Sequence, residues 1–312
     1  MRNCLCCYQP LKEDEKDFHT SCAKQLFGTT QPPILDFDAK QLDELAKQIV
    51  IKSIAVTGVQ PKLSLQLSKQ NNESPRLTIV GLYGDYILKP ASKEYVELPQ
   101  NEDLTMHLAS LAKIKTAKHS LIRLRSGELA YITKRFDRNR KGRIAMEDFC
   151  QLSENLTEHK YRGSIEKVGK LTYQYTTNKG FEVQRLFELV LFSYLTGNTD
   201  MHLKNFSLIE NTLGEYELSP AYDLLSTALV IPDDKEESAL TINGKKSRLK
   251  RSDFDALALS LRINEKATRA IYHRFYNILP KWMLLTELSF LSVEMKKAYK
   301  SLVKEKYKTI FN

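Results

Sequence analysis

The chain has 312 residues, 42% of them hydrophobic and 27% charged, with no low-complexity tract; this excludes a disordered or fibrous chain and leaves room for one large domain or two lobes. Forty-seven Lys and Arg against 38 Asp and Glu give a net charge of +9, which suits anionic partners such as nucleotides, nucleic acid or acidic proteins without choosing among them. The N-terminus has no apolar run of signal-peptide length and the apolar stretch near 190 is broken by Glu188, so the expectation is a cytoplasmic protein without membrane contact.

Five cysteines, an odd number, fit a reducing compartment better than a disulfide framework. Four of the five fall in the first 22 residues, where Cys4 and Cys7 form CxxC and His19 and Cys22 form HxxC. Two such pairs suit a tetrahedral zinc knuckle, with Cys6 as an alternative ligand. Small apolar cysteines packing a short hairpin would give the same pattern.

QPPILDFD (31–38) reads as a turn or linker, and DAKQLDELAKQIVI after it has helical spacing. From Ser53 the character turns to sheet. AVTGVQPKLSLQL alternates around a glycine-containing turn, RLTIV and DYILK are short β-rich runs, and SLIRLRSGELAYITKRF predicts a hairpin across Ser126 and Gly127. One helix, with Leu104, Leu108 and Leu111 on its apolar side, interrupts these strands.

From about residue 140 helices dominate. EVQRLFELVLFSYL is apolar on too many sides for a surface helix and predicts the buried centre of this half. FSLIE and EYELSP follow as a hairpin across 211–214, and segments 252–261, 264–278 and 284–308 predict three further helices. The basic clusters GKKSRLKR (244–251) and KEKYK near the end read as solvated faces rather than a nucleic-acid stripe.

Chemistry concentrates in TGNTDMHLKNFSL, directly after the buried helix. Asp200 and Asn205 have the Asp-x-x-x-x-Asn spacing of a protein-kinase catalytic loop, and Asp223 lies one hairpin downstream, where a metal-binding aspartate belongs. Phosphoryl transfer needs a carboxylate to orient the attacking hydroxyl, and hard oxygen ligands to hold Mg²⁺ on the phosphates. Lys204 can offset phosphate charge, and His202 either lines the site or braces the loop.

The other half offers nucleotide handling. Gly58 in TGVQPK lets backbone N–H groups approach phosphates, Lys62 adds charge, Lys89 ends its strand where a kinase lysine would reach the α- and β-phosphates, and Glu102 is its natural partner. Each residue alone has a plainer reading: Lys89 as an exposed strand end, Glu102 as a solvated helix face, Asp223 as a carboxylate at a helix N-terminus. The order in which they occur favours the kinase.

Taken together, ITKRFDR (132–138), EDFCQL (147–152), GNTDMHLKNFSL (197–208), LSPAYDLLST (218–227) and LTINGKK (240–246) resemble the HipA family of bacterial Ser/Thr kinase toxins. The resemblance implies an α+β, two-lobed protein-kinase-like fold. A Cys-rich segment and helix (1–50) would precede a smaller β-rich N-lobe (51–138) and a larger, mainly helical C-lobe (139–312). It implies ATP with Mg²⁺, and a HipB-like DNA-binding antitoxin through which any nucleic-acid contact would be indirect. By motif match, Thr57, Gly58, Val59, Gln60, Pro61 and Lys62 would form the phosphate loop, Lys89 would bind phosphates, and Lys134, Arg135 and Phe136 would lie at the hinge beside adenine. Asp200 would be the base; His202, Lys204 and Asn205 would line phosphates and metal; Tyr222 and Asp223 would close the site, with Asn205 and Asp223 as metal ligands.

Two departures from the family pattern stand out. Longer relatives carry a small subdomain ahead of the glycine-containing loop, whereas about 50 residues precede it here. That resembles the HipT branch, in which a separate small HipS-like protein supplies the missing part. Relatives also often carry Ser-x-Ser-Gly before the loop, and phosphorylation there shuts the kinase off. Here Ala55, Val56, Thr57 and Gly58 stand in its place, leaving Thr57, or else Ser53, as the acceptor. The resemblance implies an aminoacyl-tRNA synthetase as substrate and translational arrest as outcome. The competing readings are a small-molecule kinase of aminoglycoside-phosphotransferase type and an inactive nucleotide- or DNA-binding module.

Overall fold

The computed structural model describes residues 2–42, 44–45, 61–68, 74–81, 83–92, 94–139 and 142–312. The chain divides into two compact units. The first comprises Met1–Asp103, Ala117–Phe136 and Leu288–Phe290, and the second comprises Leu104–Thr116, Asp137–Glu287 and Leu291–Asn312.

In the first unit a short helix α1 (Thr20–Phe27) precedes five antiparallel strands: β1 (Leu63–Ser68), β2 (Arg76–Val80), β3 (Tyr86–Lys89), β4 (His119–Arg123) and β5 (Leu129–Lys134), in the order β2-β1-β3-β5-β4. Period-two alternation orients β1: Leu63 and Leu65 are buried while Ser64 and Gln66 are half-buried. The β4–β5 hairpin turns across Ser126 and Gly127 as its sequence predicts, with Leu121 opposite Tyr131. Leu63, Leu65, Leu88, Leu121 and Ile132 share one core with Cys4, Leu5, Phe18, Leu26 and Phe27, so the Cys-rich N-terminus packs on the same sheet. Just before β3, a Cβ on Gly84 would sit 2.4 Å from the Leu65 carbonyl oxygen, so this close approach to β1 requires glycine. Helix α2 (Leu98–Leu111) follows β3. Of the helix read at the start of DAKQLDELAKQIVI, 39–42 and 44–45 are helical, and 46–51 lie outside the described residues.

The second unit contains α3 (Phe149–Leu152), α4 (Ile165–Tyr175), α5 (Lys179–Leu195), α6 (Arg251–Ser260), α7 (Glu265–Leu288) and α8 (Val293–Phe311). A small sheet of β8 (Met146–Asp148), β9 (Ser207–Glu210) and β10 (Tyr216–Leu218) adjoins them, and β6 (Arg138–Asn139) pairs with β7 (Gly142–Arg143). Helix α5 is the expected central element: Val183, Leu186, Phe187, Val190, Leu191, Phe192 and Leu195 are all buried.

One boundary differs from the sequence reading. The pattern ended a helix at 278 and began another at 284, but α7 runs unbroken through Pro280 to Leu288. Proline removes one backbone hydrogen bond and costs roughly 3 kcal/mol in a helix interior. Buried anchors on both sides, Phe275 before it and Trp282 and Thr286 after it, hold the segment helical. Trp282 donates its indole N–H to the Leu108 carbonyl at 3.0 Å, and it meets Phe192, Phe275 and Tyr307 edge-on. The break falls instead before Ser292, whose hydroxyl caps α8 by accepting from the Met295 N–H.

Candidate active site

In the first unit, antiparallel pairing of β3 with β5 sets Lys89 opposite Tyr131. A strand-end lysine and a helical glutamate are ordinarily solvated, yet the Lys89 and Glu102 side chains are only 5% and 2% exposed and lie 2.6 Å apart. Both plainer readings are thereby set aside. The Lys89 ammonium also lies 5.5 Å from the centre of the Tyr131 ring.

The residue after Glu102, Asp103, is buried as well. One of its oxygens accepts from the Tyr8 hydroxyl at 2.6 Å, and the other lies 2.7 Å from His119 Nδ1. No local sequence signal marked this trio, because its members are spread over three elements. At the end of β5, the N–H of Lys134 bonds the Lys118 carbonyl and that of Arg135 bonds the Asp85 carbonyl, each at 2.8 Å, with Phe136 following. Pro61 and Lys62 lead into β1, half-buried and exposed in turn. Thr57, Gly58, Val59 and Gln60, together with Ser53, lie outside the described residues.

In the second unit, α5 ends in a turn at Gly197, where φ is +68° and a Cβ would meet Leu302 at 2.8 Å and Ala228 at 3.2 Å. The loop after it is pinned at several points. The Asn198 N–H bonds the Ser193 carbonyl at 2.8 Å, and the Thr199 N–H bonds the Thr227 hydroxyl at 2.6 Å. The Asp200 carbonyl accepts twice, from the His202 N–H at 2.8 Å and from Asn205 Nδ2 at 3.0 Å. This second bond fixes the Asn205 amide with its nitrogen turned to the loop, so its oxygen presents on the other side.

The Asp200 carboxylate accepts from the Tyr161 hydroxyl at 2.8 Å. Burial first, and then the charge of Asp200, push the Tyr161 phenol above its ordinary value, so it remains a donor through neutral pH. The His202 ring packs edge-on against Tyr161 at 5.1 Å between centres. Tyr161 escapes sequence reasoning because it lies 39 positions before its partner. Asp148 escaped it too, although D-x-x-Q at 148–151 is a capping-box pattern: Asp148 caps α3 and pairs with the Lys204 ammonium at 2.9 Å.

Tyr222 docks the downstream segment on this loop. Its hydroxyl donates to the Lys204 carbonyl at 2.9 Å and lies 2.6 Å from the Ser207 hydroxyl. The next residue, Asp223, adopts φ +59°, a conformation that non-glycine residues rarely take and that concentrates at functional sites. Asp223 heads no helix: the nearest following helical turn, Thr227–Leu229, begins after Ser226. The helix-terminus reading of this carboxylate therefore gives way. Asp200 supplies a carboxylate for a proton, and Asn205 with Asp223 supplies an amide oxygen and a carboxylate, donors whose chemistry fits Mg²⁺.

Of the eight basic residues in the two clusters, four form ion pairs among the described residues of the second unit. Lys245 pairs with Asp253 at 2.8 Å, Lys246 with Glu236 at 3.2 Å and Arg251 with Asp255 at 3.1 Å, while Lys306 pairs with Glu237. Among the described residues, no helix is long and apolar enough to cross a membrane.

A family model described as the HipA-like C-terminal domain matches residues 54–283. A Sinorhizobium fredii protein named "Putative kinase Y4dM" is 32% identical over 228 residues, covering 68% of this chain and 54% of its own. The Ser/Thr-protein kinase toxin HipA of Shewanella oneidensis is 28% identical over 210 residues, 61% of this chain and 47% of that one. The match thus spans about half the length of these relatives. Among solved structures, the HipA of S. oneidensis in complex with HipB and operator DNA superposes with a TM-score of 0.67 at 23% identity, over 81% of this chain and 64% of that chain. The proinflammatory kinase CtkA of Helicobacter pylori gives 0.54 at 15% identity, over 80% and 93%. Both likenesses bear on the fold, which is α+β with a β-rich part followed by a helical one, as expected from the sequence.

Proposed function

Because the chain belongs to the family of HipA-like C-terminal domains, we propose that it is an ATP-dependent protein Ser/Thr kinase and the toxin of a HipB-paired toxin–antitoxin system. The observation that carries this reading is the second unit's constellation. Asn205 is tied to the backbone of Asp200, and Asp223 stands in a left-handed conformation beside Tyr222, which is itself bonded to the same loop. When bound, Mg-ATP supplies the phosphoryl group, and the metal offsets its charge.

Each residue has a role in this reading. Asp200 orients the acceptor hydroxyl and takes its proton, with Tyr161 holding the carboxylate. Asn205 and Asp223 would hold the metal. Lys89 would face the α- and β-phosphates, kept in place by Glu102. Lys204, anchored by Asp148, adds positive charge to the loop, and His202 braces it against Tyr161. The phosphate loop at 57–62, with Lys134, Arg135 and Phe136 beside adenine, completes nucleotide binding, and Thr57 or Ser53 is the autophosphorylation acceptor. The substrate class is a protein, an aminoacyl-tRNA synthetase, and a small HipS-like protein is a third component, as in the HipT branch.

Thiophosphate-ATP labelling of a cell lysate, comparing wild type with Asp223→Ala, tests this reading. Wild type should label discrete proteins that the variant leaves unlabelled; equal labelling by both, or none by either, counts against it. Tyr161→Phe should lower kcat about tenfold or more, the worth of one hydrogen bond to a charged group, with the KM for ATP unchanged. A rise in KM alone would place Tyr161 in nucleotide binding instead.

A further inference from the structure

The N-terminal segment gathers four ligating side chains at one point, apart from the phosphoryl-transfer residues. The Cys4 N–H bonds the Gln9 carbonyl and the Tyr8 N–H bonds the Cys4 carbonyl, both at 2.9 Å, which folds Cys4–Cys7 into a tight knuckle. Tyr8 closes it with φ +62°. The second ligand pair comes from the start of α1: His19 is the residue before the helix and Cys22 lies in its first turn. One ligand atom from each of Cys4, Cys7, His19 and Cys22 lies within 4.8 Å of all the others.

Two edges of this group have the length a metal tetrahedron requires. Zinc bonds of about 2.3 Å to sulfur and about 2.0 Å to nitrogen imply N···S edges of roughly 3.5 Å. Cys7 Sγ and Cys22 Sγ lie 3.3 Å and 3.8 Å from His19 Nδ1. On its far side the His19 ring is held by the Pro10 carbonyl, 2.9 Å from Nε2. A proton on Nε2 donates there and leaves the Nδ1 lone pair facing the sulfurs, the outer-shell bond that orients a ligating histidine. The His19 N–H points at Cys4 Sγ at 3.4 Å, which suits a thiolate. All four sulfurs of the segment are free thiols rather than disulfides, and Cys6 stands outside the tetrahedral set.

We propose that Cys4, Cys7, His19 and Cys22 bind a structural zinc ion. Three thiolates and one imidazole in a closed tetrahedron select zinc and leave no open position for catalysis. The ion cross-links the knuckle to α1 and so fixes two attachments to the rest of the first unit. The Leu5 carbonyl accepts from the Ser120 hydroxyl at 3.0 Å, and the Tyr8 hydroxyl holds Asp103, the neighbour of Glu102. Packing cysteines would explain burial, and a thiol donating to Nδ1 would explain one of the histidine contacts, but a metal accounts for all four ligand atoms converging within 4.8 Å.

The full chain, purified without a histidine tag from zinc-supplemented medium, should carry about one zinc per molecule by elemental analysis. Cys6→Ser and Cys150→Ser should retain it, while Cys7→Ser and Cys22→Ser should fall to about a tenth or less. Should those two variants fail to fold, cobalt added anaerobically to metal-stripped wild type provides an independent readout, expected to give tetrahedral d–d bands and a sulfur-to-cobalt charge-transfer band. Wild type without zinc and without these bands overturns the proposal, as does full zinc retention in Cys7→Ser or stoichiometric iron in place of zinc. None of these outcomes depends on kinase activity.

Discussion

Alanine at position 200 is expected to slow phosphate transfer by about 10²- to 10⁴-fold, the usual worth of a positioned acid or base. The substitution is a clean one. The bonds that organise the loop run to the Asp200 carbonyl, from the His202 N–H and from Asn205 Nδ2, and alanine keeps that carbonyl. The carboxylate is lost, and with it the bond from Tyr161. The fall should therefore appear in kcat, with the KM for ATP little changed and thermal stability near that of wild type. Steady-state kinetics on a labelled substrate protein checks it. A variant within about threefold of wild type would remove Asp200 from the chemistry, since that is no more than one weak hydrogen bond contributes.

Lys89→Met should act on stability and activity together. Removing one member of a buried ion pair strands the other, and the 2.6 Å contact with Glu102 is almost wholly shielded from water. The expected destabilisation is about 3–5 kcal/mol, much of it the cost of leaving a carboxylate buried without the cation it faces. Adding Glu102→Gln should recover most of that stability, because the stranded charge is then gone. It should not recover activity, which is expected to stay about 10²- to 10³-fold down, since the Lys89 ammonium no longer faces the phosphates. Denaturant titration alongside kinetics separates the two effects. Recovery of activity in the double variant would mean that Lys89 serves only the fold.

Much of the candidate site was legible because the chemistry proposed for it, phosphoryl transfer, constrains residue type and spacing within short stretches. Asp200 and Asn205 fall in one loop, and Lys89 ends a strand whose alternation is plain. What escaped was set by distance along the chain. Tyr161 reaches Asp200 from a loop whose sequence carries no pattern, and the Tyr8–Asp103–His119 trio joins three elements. Strand β8 is three residues long, too short for alternation to register. The course of α7 through Pro280 was misread because local propensity pointed to a break, and the burial of Phe275 and Trp282 overrode it. At the N-terminus the spacing of Cys4, Cys7, His19 and Cys22 allowed either packing or metal; the convergence of their four ligand atoms, which only a folded chain reveals, is what the zinc proposal rests on.

Trp282 is the chain's single tryptophan, and it sits fully buried among Phe192, Phe275 and Tyr307 in the helical unit. Its intrinsic fluorescence is therefore a built-in reporter of one unit. Emission selected at the red edge of excitation follows loosening around α7 and is blind to melting confined to the sheet. Far-ultraviolet circular dichroism sees both. Comparing the two signals along one denaturation curve asks, without any added label, whether the halves of this protein unfold as one cooperative body or in sequence.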